Sequence, residues 1–223
     1  MISARNVATR TILGQPVLDI TKHFGKLPCW IKGQTPEQIT ADLLSTFPGL
    51  QWILMSDFKC FDKTQNNKLL ELETYAMELF YGKEFGAFYR SIIQSWTKIH
   101  VGDHAEALSA PQRNSGDAGT AFGNTLITMC LALYVASGGD PKKAYELAHD
   151  GERKFEGDDN ISAIRMQDEI ERLQSVMKLM GVIVEFEFDT GEGGKFLKVQ
   201  LKEMNSEVVA TKAPIEALNR LFL

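Results

Sequence analysis

Apolar residues along this chain recur at helical spacing in some stretches and run together in others, and the alternation outlines its elements. Gln15-Pro16 opens a short helical stripe of Val17, Ile20, Thr21 and Phe24 that stops at Gly25, with proline at the start and glycine past the end. A second helix has Thr35 as its cap, Pro36 in its first turn, Gln38 three residues after the cap, and the stripe Ile39, Leu43 and Leu44 before Pro48-Gly49. The segment from Gln51 to Asp57 predicts a buried strand, because its apolar residues are contiguous, and Asp57 stands at its carboxyl end. Leu69, Leu70, Leu72, Tyr75, Ala76, Leu79 and Phe80 predict a helix over 67–81 closed by Gly82, and 84–99 also has a helical pattern.

The stretch from His100 to Pro111 is short and punctuated by Gly and Pro, which predicts a hairpin or loop. Thr120 to Ala136 is apolar on nearly every side, the pattern of a helix buried in the middle of a domain; Gly138-Gly139 ends it and Asp140-Pro141 starts another. Two strand-like runs, 154–156 and 160–164, flank Gly157-Asp158-Asp159, a tight hairpin that lifts acids to its tip. Met166 to Met180 predicts an amphipathic helix ended by Gly181, and strands follow at 182–188 and 196–201 around the turn from Asp189 to Gly194. The expected fold class is α+β, a small antiparallel sheet backed by helices, with no internal repeat.

With 223 residues, 44% of them hydrophobic and 24% charged, the chain can bury a core without disulfides or metals and is not of a disordered, collagenous or coiled-coil class. Its longest apolar run, Leu126 to Ala136, falls short of the roughly 20 residues that cross a bilayer. No apolar stretch or cleavage site follows Met1, so no secretory signal is expected. Cys29, Cys60 and Cys130 are far apart and form no C-x-x-C pair, which fits a reducing compartment and no zinc site. The net charge of −5 would ordinarily weigh against a nucleic-acid partner. A site that gathers carboxylates around cations adds negative charge by design, however, and basic surface can lie outside this chain.

The acids stand where chemistry is possible. If the strand ending at Asp57 neighbours the hairpin carrying Asp158 and Asp159, the carboxylates share one edge. They could then hold two Mg²⁺ ions, hard cations that take oxygen ligands, for phosphoryl transfer without a nucleophilic side chain. Each piece is weak alone, since Gly157-Asp158-Asp159 also makes an ordinary polar turn. The third element is Ser115-Gly116-Asp117-Ala118-Gly119-Thr120, a glycine-rich loop that leads into the buried helix bearing Asn124.

Asp57-x4-Asp62, Ser115-Gly116-x3-Thr120-x3-Asn124 and Gly157-Asp158-Asp159, in that order and spacing, resemble motifs A, B and C of the palm of viral RNA-dependent RNA polymerases. The strand after Gly181 looks like motif D and Lys195-Phe196-Leu197-Lys198 like motif E. The resemblance implies one catalytic palm core over 1–223 with parts of the fingers. Motif A then spans about 51–65, B about 113–130, C about 153–164, D about 166–188 and E about 195–201. A complete enzyme of this family is about twice as long or more, so the chain is expected to be a core of a larger protein. Ile2 to Thr9 and Trp30-x2-Gly33-x-Thr35-Pro36-Glu37 look nodavirus-like, whereas Ser115-Gly116-Asp117 and Gly123-Asn124 are more similar to tombusvirus-like enzymes of positive-strand RNA viruses.

By this resemblance Asp57 and Asp158 would ligate two Mg²⁺ or Mn²⁺ ions, with Asp159 supporting the second. Asp62 and Asn124 would read the ribose 2′-hydroxyl, Ser115 and Gly116 would form a mobile loop near the template, and Thr120 would orient Asp62 or the sugar. Arg5 and Arg10 would belong to a basic segment that guides the triphosphate. The family's motif D carries a lysine that protonates pyrophosphate; here Lys178 precedes Gly181 and Lys195 follows late, a departure from the pattern. The implied function is template-directed nucleotidyl transfer from NTPs to an RNA 3′-hydroxyl. Implied partners are template and nascent RNA, NTPs and other replicase segments, on membrane-associated complexes in the host cytoplasm.

A reverse transcriptase-like palm is the alternative within enzymes, disfavoured by Asp62 and by the absence of Tyr-x-Asp-Asp. A catalytically silent palm remnant acting as a binding or structural part is the alternative outside them. Blander roles stand beside the individual assignments. Asp62 could cap the helix that follows, and Thr120 and Asn124 could be a satisfied polar pair on one helix face. His100-x3-His104 has metal-pair spacing but is interrupted by Gly102. Phe80, Tyr81, Phe85, Phe88 and Tyr89 fit packing better than base stacking, and Glu185, Glu187, Asp189 and Glu192 fit a solvated strand face and turn.

Overall fold

The first helix is longer than its stripe suggests. In the computed structural model, which describes residues 7–46, 53–58, 61–101, 105–114, 116–163, 167–182, 184–189, 195–196, 199–204 and 207–212, α1 covers Val7–Phe24 with Pro16 inside it. The sequence pattern alone predicts a start at Gln15. Proline lacks the N–H that an interior helical position donates, but Leu13, Val17 and Ile20 on either side of it are all buried. Tertiary burial of that stripe outweighs the lost bond, and the Pro16 carbonyl accepts a 2.9 Å hydrogen bond from Tyr81 Oη.

Helix α2 (Pro36–Thr46) begins in the expected capping box. The Gln38 N–H donates to Thr35 Oγ1 at 3.3 Å and the Thr35 N–H to Gln38 Oε1 at 2.8 Å. Strand β1 (Ile53–Phe58) and the single turn α3 (Phe61–Thr64) come next, and α4 (Asn67–Tyr81) falls where its stripe places it. Asn66 Oδ1 caps α4 by accepting from the Lys68 N–H, and Gly82 turns the chain at φ 90°.

Helix α5 (Lys83–Ile93) stops earlier than the expected Ile99. Thr97, Ile99 and Val101, β-branched at alternate positions, instead form β2 (Thr97–Val101), paired antiparallel with β3 (Ala105–Ser109). The hairpin expected from His100 therefore begins three residues sooner. His104, Pro48-Gly49, Gln51, Ile2 to Asn6 and the turn from Thr190 to Gly194 lie outside the described residues.

Helix α6 (Thr120–Ser137) precedes α7 (Pro141–His149), whose cap Asp140 accepts from the N–H groups of Lys142 and Lys143. The expected hairpin is β4 (Arg153–Glu156) and β5 (Asp159–Ala163). Then come α8 (Gln167–Leu179), β6 (Val184–Asp189), β7 (Lys195–Phe196), β8 (Val199–Met204) and β9 (Glu207–Lys212); the strand expected at 196–201 falls on β7 and β8, and the sequence pattern predicts no strand at β9. One sheet has the order β4-β5-β1-β6 with every neighbouring pair antiparallel; β2-β3 form a second and β7-β8-β9 a third.

Helix α6 is apolar all round because it has apolar neighbours on two sides. Phe122, Leu126, Met129, Ala132 and Leu133 join a core with α1, Trp30, Tyr89 and Phe155. Ile127, Leu131 and Val135 join another with Phe61, Leu69 and, on α8, Leu173 and Met177. It is the one described helix long and apolar enough to cross a membrane, but 72% of it is buried within the fold. Cys29 and Cys130 belong to this packing. Burial pushes the Cys29 thiol up to about 12 and that of Cys130 to about 11, so both stay protonated at neutral pH.

Candidate active site

The strand register brings the candidate acids to one edge. Ser56 of β1 is opposite Asn160 of β5, so Asp57 is one step further along, level with Asp159, and Asp158 sits in the turn that ends the same hairpin. The hairpin closes tightly because Gly157 adopts φ 67°, a left-handed conformation that costs glycine little. Asp158 and Asp159 are half-buried. For Asp57 the backbone is described and the side chain lies outside the described atoms. Among the described residues no group of three His, Cys, Asp or Glu side chains is arranged as a metal site. The backbone nonetheless gathers three carboxylate-bearing residues at one strand end, and oxygen-only donors are the set a hard divalent cation takes.

The turn is fastened to α6. Gly157 N–H donates to Thr125 Oγ1 at 2.7 Å, and that hydroxyl donates to the Ala121 carbonyl at 2.7 Å. Thr125 is fully buried, so its hydroxyl is shielded from water. The other strand of the hairpin is held by Phe155, whose N–H donates to the Cys29 carbonyl at 2.9 Å. Lys154, also buried, reaches Asp42 Oδ2 at 2.7 Å and the Pro28 carbonyl at 3.1 Å.

Beside the turn, α6 carries Asn124, whose Nδ2 donates to Asp62 Oδ1 at 2.9 Å. Two of the proposed sugar-reading residues, from α3 and α6, are thus in direct contact. Thr120 points elsewhere: its hydroxyl donates to the Asn114 carbonyl at 2.9 Å and braces the loop that enters α6. Gly116 turns that loop at φ 93°. Ser115 lies outside the described residues.

Behind Asn124 lies a buried polar chain that the sequence pattern does not reveal. Gln65 Nε2 donates to Asn124 Oδ1 at 2.7 Å, and Arg113 Nε donates to Gln65 Oε1 at 2.9 Å. Arg113 Nη2 pairs with Glu73 Oε2, and Tyr89 Oη donates to Glu73 Oε1. The Arg113 and Glu73 side chains are 2% and 0% exposed, so this is an ion pair removed from water. Burial works to lower the Arg113 pKa, but the charge and hydrogen bond of Glu73 outweigh it and hold the guanidinium above its ordinary value. Burial, and then the charge of Glu73, pushes the Tyr89 phenol well up, which keeps it a neutral donor.

Two glycines let α6 rest on this pair. A Cβ at Gly123 would collide with both Arg113 Nη2 and Glu73 Oε2, and one at Gly119 would lie 2.6 Å from Tyr89 Oη. One local signal is present: Glu73 is a charged residue on the buried stripe of Leu69, Leu70 and Met77. Tyr81, Phe85 and Tyr89 form ring contacts, with Tyr81 and Phe85 centroids 4.9 Å apart, which supports packing for those three.

The sequence signature of a family described as RNA dependent RNA polymerase matches residues 25–185, well over half of the chain, from the residue after α1 to the start of β6. The chain belongs to that family. No curated protein sequence matches it closely enough to count as a relative. Among solved structures it is similar to the RNA-dependent RNA polymerase of a human picobirnavirus, at 15% identity and TM-score 0.70, over 96% of this chain and 42% of that one. An insertion-loop deletion mutant of the same enzyme matches at 14% identity and TM-score 0.65, over 92% and 41%. At these identities the likeness is one of fold, and the α+β arrangement is that of a viral RNA-dependent RNA polymerase. The chain spans less than half the length of those polymerases.

Proposed function

We propose that this chain is the catalytic palm of a viral RNA-directed RNA polymerase, working with fingers and thumb in a longer protein. The observation that carries the reading is the β1–β5 register, which puts Asp57 beside the turn of Asp158 and Asp159, with the Asp62–Asn124 contact next to it. In the reaction the 3′-hydroxyl oxygen of the growing RNA forms a bond to the α-phosphorus of an NTP. The bond from that phosphorus to the bridging oxygen breaks, pyrophosphate leaves with the electron pair, and the proton of the attacking hydroxyl passes to water. Asp57, Asp158 and Asp159 would hold two Mg²⁺ or Mn²⁺ ions, which when bound favour the ionised hydroxyl and neutralise charge on the leaving group.

The chain's own residues supply position. Thr125 fixes the turn that presents Asp158, and the edge of the sheet aligns it with Asp57. Template pairing selects the base, and Asp62 with Asn124 selects the sugar by engaging the 2′-hydroxyl. RNA template, nascent RNA and NTPs are the proposed partners, with other replicase segments, on membrane-associated complexes in the host cytoplasm. Ile2 to Thr9 and Trp30 to Glu37 support a nodavirus-like parent, and Ser115-Gly116-Asp117 a tombusvirus-like one, both of positive-strand type. Intact Asp57, Asp158 and Asp159 favour an active palm over a silent remnant.

Single-nucleotide extension with each sugar tests the reading. A deoxynucleotide would leave polar groups of Asp62 and Asn124 unmatched, a cost of about 1–3 kcal/mol or roughly tenfold to a hundredfold in discrimination. In the polymerase that contains this chain, Asn124→Ala is expected to narrow the NTP/dNTP efficiency ratio by about that factor, chiefly through poorer use of the ribonucleotide. An unchanged ratio would remove Asn124 from the sugar pocket.

A further inference from the structure

We infer that Gln65, anchored by the buried Arg113–Glu73 pair, is a positioning residue for sugar selection: it fixes which way the Asn124 amide faces. The inference rests on the assignment of Asp62 and Asn124 to the ribose. A side-chain amide has a donor end and an acceptor end of nearly equal shape, so its orientation is set by its neighbours. Here the chain of bonds has fixed polarity at both ends. Arg113 can only donate, which turns the Gln65 carbonyl toward it and the Gln65 NH₂ toward Asn124. Asp62, as a carboxylate, can only accept, which requires the Asn124 NH₂ on its side.

Two amides between an obligate donor and an obligate acceptor have a single arrangement that satisfies every bond. Its consequence falls on Asn124: the NH₂ faces Asp62, and because an amide nitrogen carries two hydrogens, one remains to donate to a ribose oxygen while Asp62 accepts from the hydroxyl. A flipped Asn124 would present a carbonyl to Asp62 and lose both features. Glu73 holds the Arg113 end, and Tyr89 orients Glu73 from the other side. Gly123, next to Asn124, removes the Cβ that would push α6 off the pair. Gln65 is fully buried and Asn124 nearly so, which makes the orientation costly to reverse.

The test uses the polymerase that contains this chain, with KM and kcat for one NTP and its dNTP measured separately. Gln65→Glu keeps the shape and the bond from Arg113 but cannot donate to Asn124; Gln65→Met keeps the volume and removes both bonds. Each is expected to narrow the NTP/dNTP ratio by roughly threefold to tenfold, about the worth of one hydrogen bond. The loss should appear as a higher KM for the ribonucleotide, with dNTP efficiency within about twofold of wild type. Because Gln65 acts through Asn124, neither variant should narrow the ratio further in an Asn124→Ala background.

Equal losses for both sugars, or a full additional loss on top of Asn124→Ala, would make Gln65 a structural residue only and overturn the inference. If Asn124→Ala narrows the ratio and both Gln65 variants leave it unchanged, the positioning role fails while the proposed function stands. If Asn124→Ala leaves the ratio unchanged, the sugar assignment and the inference fall together. Should Gln65→Glu not fold, Gln65→Met decides by the same readings.

Discussion

Asp158→Asn is expected to reduce RNA-templated nucleotide incorporation by roughly a thousandfold or more, because cation-assisted stabilisation of a transferring phosphoryl group is worth several kcal/mol and each 1.36 kcal/mol is tenfold in rate. Asparagine keeps the size and the polar outline of aspartate, and the turn it sits in is fixed by Gly157 and its bond to Thr125, neither of which involves the carboxylate charge. The fold should therefore survive, with circular dichroism and melting temperature close to wild type. Incorporation within tenfold of wild type would show that the charge of Asp158 is not what the chemistry uses. The same substitution at Asp62 should behave differently, acting on sugar choice before it acts on rate, since Asp62 accepts from the Asn124 amide.

The second large effect is on stability. Glu73→Gln leaves the Arg113 charge buried without its counter-ion, and breaking a buried pair in this way costs about 3–5 kcal/mol. For a chain of this size each kcal/mol corresponds to a melting shift of roughly 2–4 °C, so thermal denaturation should show a drop of about 6–20 °C. Removing both charges together, as Glu73→Leu with Arg113→Met, should recover only part of that loss: the desolvation cost of two ions disappears with them, but the buried Tyr89 hydroxyl and Gln65 carbonyl lose their partners. A drop of less than about 3 °C in Glu73→Gln would mean that the pair is more hydrated than its burial indicates.

Local signals make the frame of this fold readable. The capping box of Thr35 and Gln38, the cap at Asp140, the stripe of α4 and the glycines after α4 and α6 each involve residues a few positions apart, so the chain states them directly. The 153–163 hairpin is legible for the same reason, and with it the placement of Asp158. The helical pattern carries α5 too far because Ile92, Ile93 and Ile99 suit either period; only pairing with Ala105–Ser109 decides for the strand, and that is a tertiary event. Pro16 misleads in the opposite direction, since burial of Leu13 and Val17 carries α1 through a residue that would break an isolated helix.

The candidate site divides along the same line. Asp57, Asp62, Asn124, Asp158 and Asp159 stand in motifs whose spacing is part of the sequence. Arg113 and Glu73 are 40 residues apart, and Gln65 and Asn124 are 59 apart, so no window of sequence holds both partners. Thr125 reads as one more residue of a buried helix until β4 and β5 fold back to place Gly157 against it, 32 residues away. What the motifs contribute is chemistry; what holds that chemistry in place is long-range and emerges only in three dimensions.

Template-directed nucleotidyl transfer by these residues is tested most directly by RNA synthesis. The polymerase that contains this chain is given a template of defined sequence with Mg²⁺ or Mn²⁺ and one of the four NTPs omitted. Product should grow only with a divalent cation present and halt at the first template base requiring the missing nucleotide. A folded, RNA-binding protein that makes no product with either cation, or one that adds nucleotides regardless of the template, would contradict that assignment.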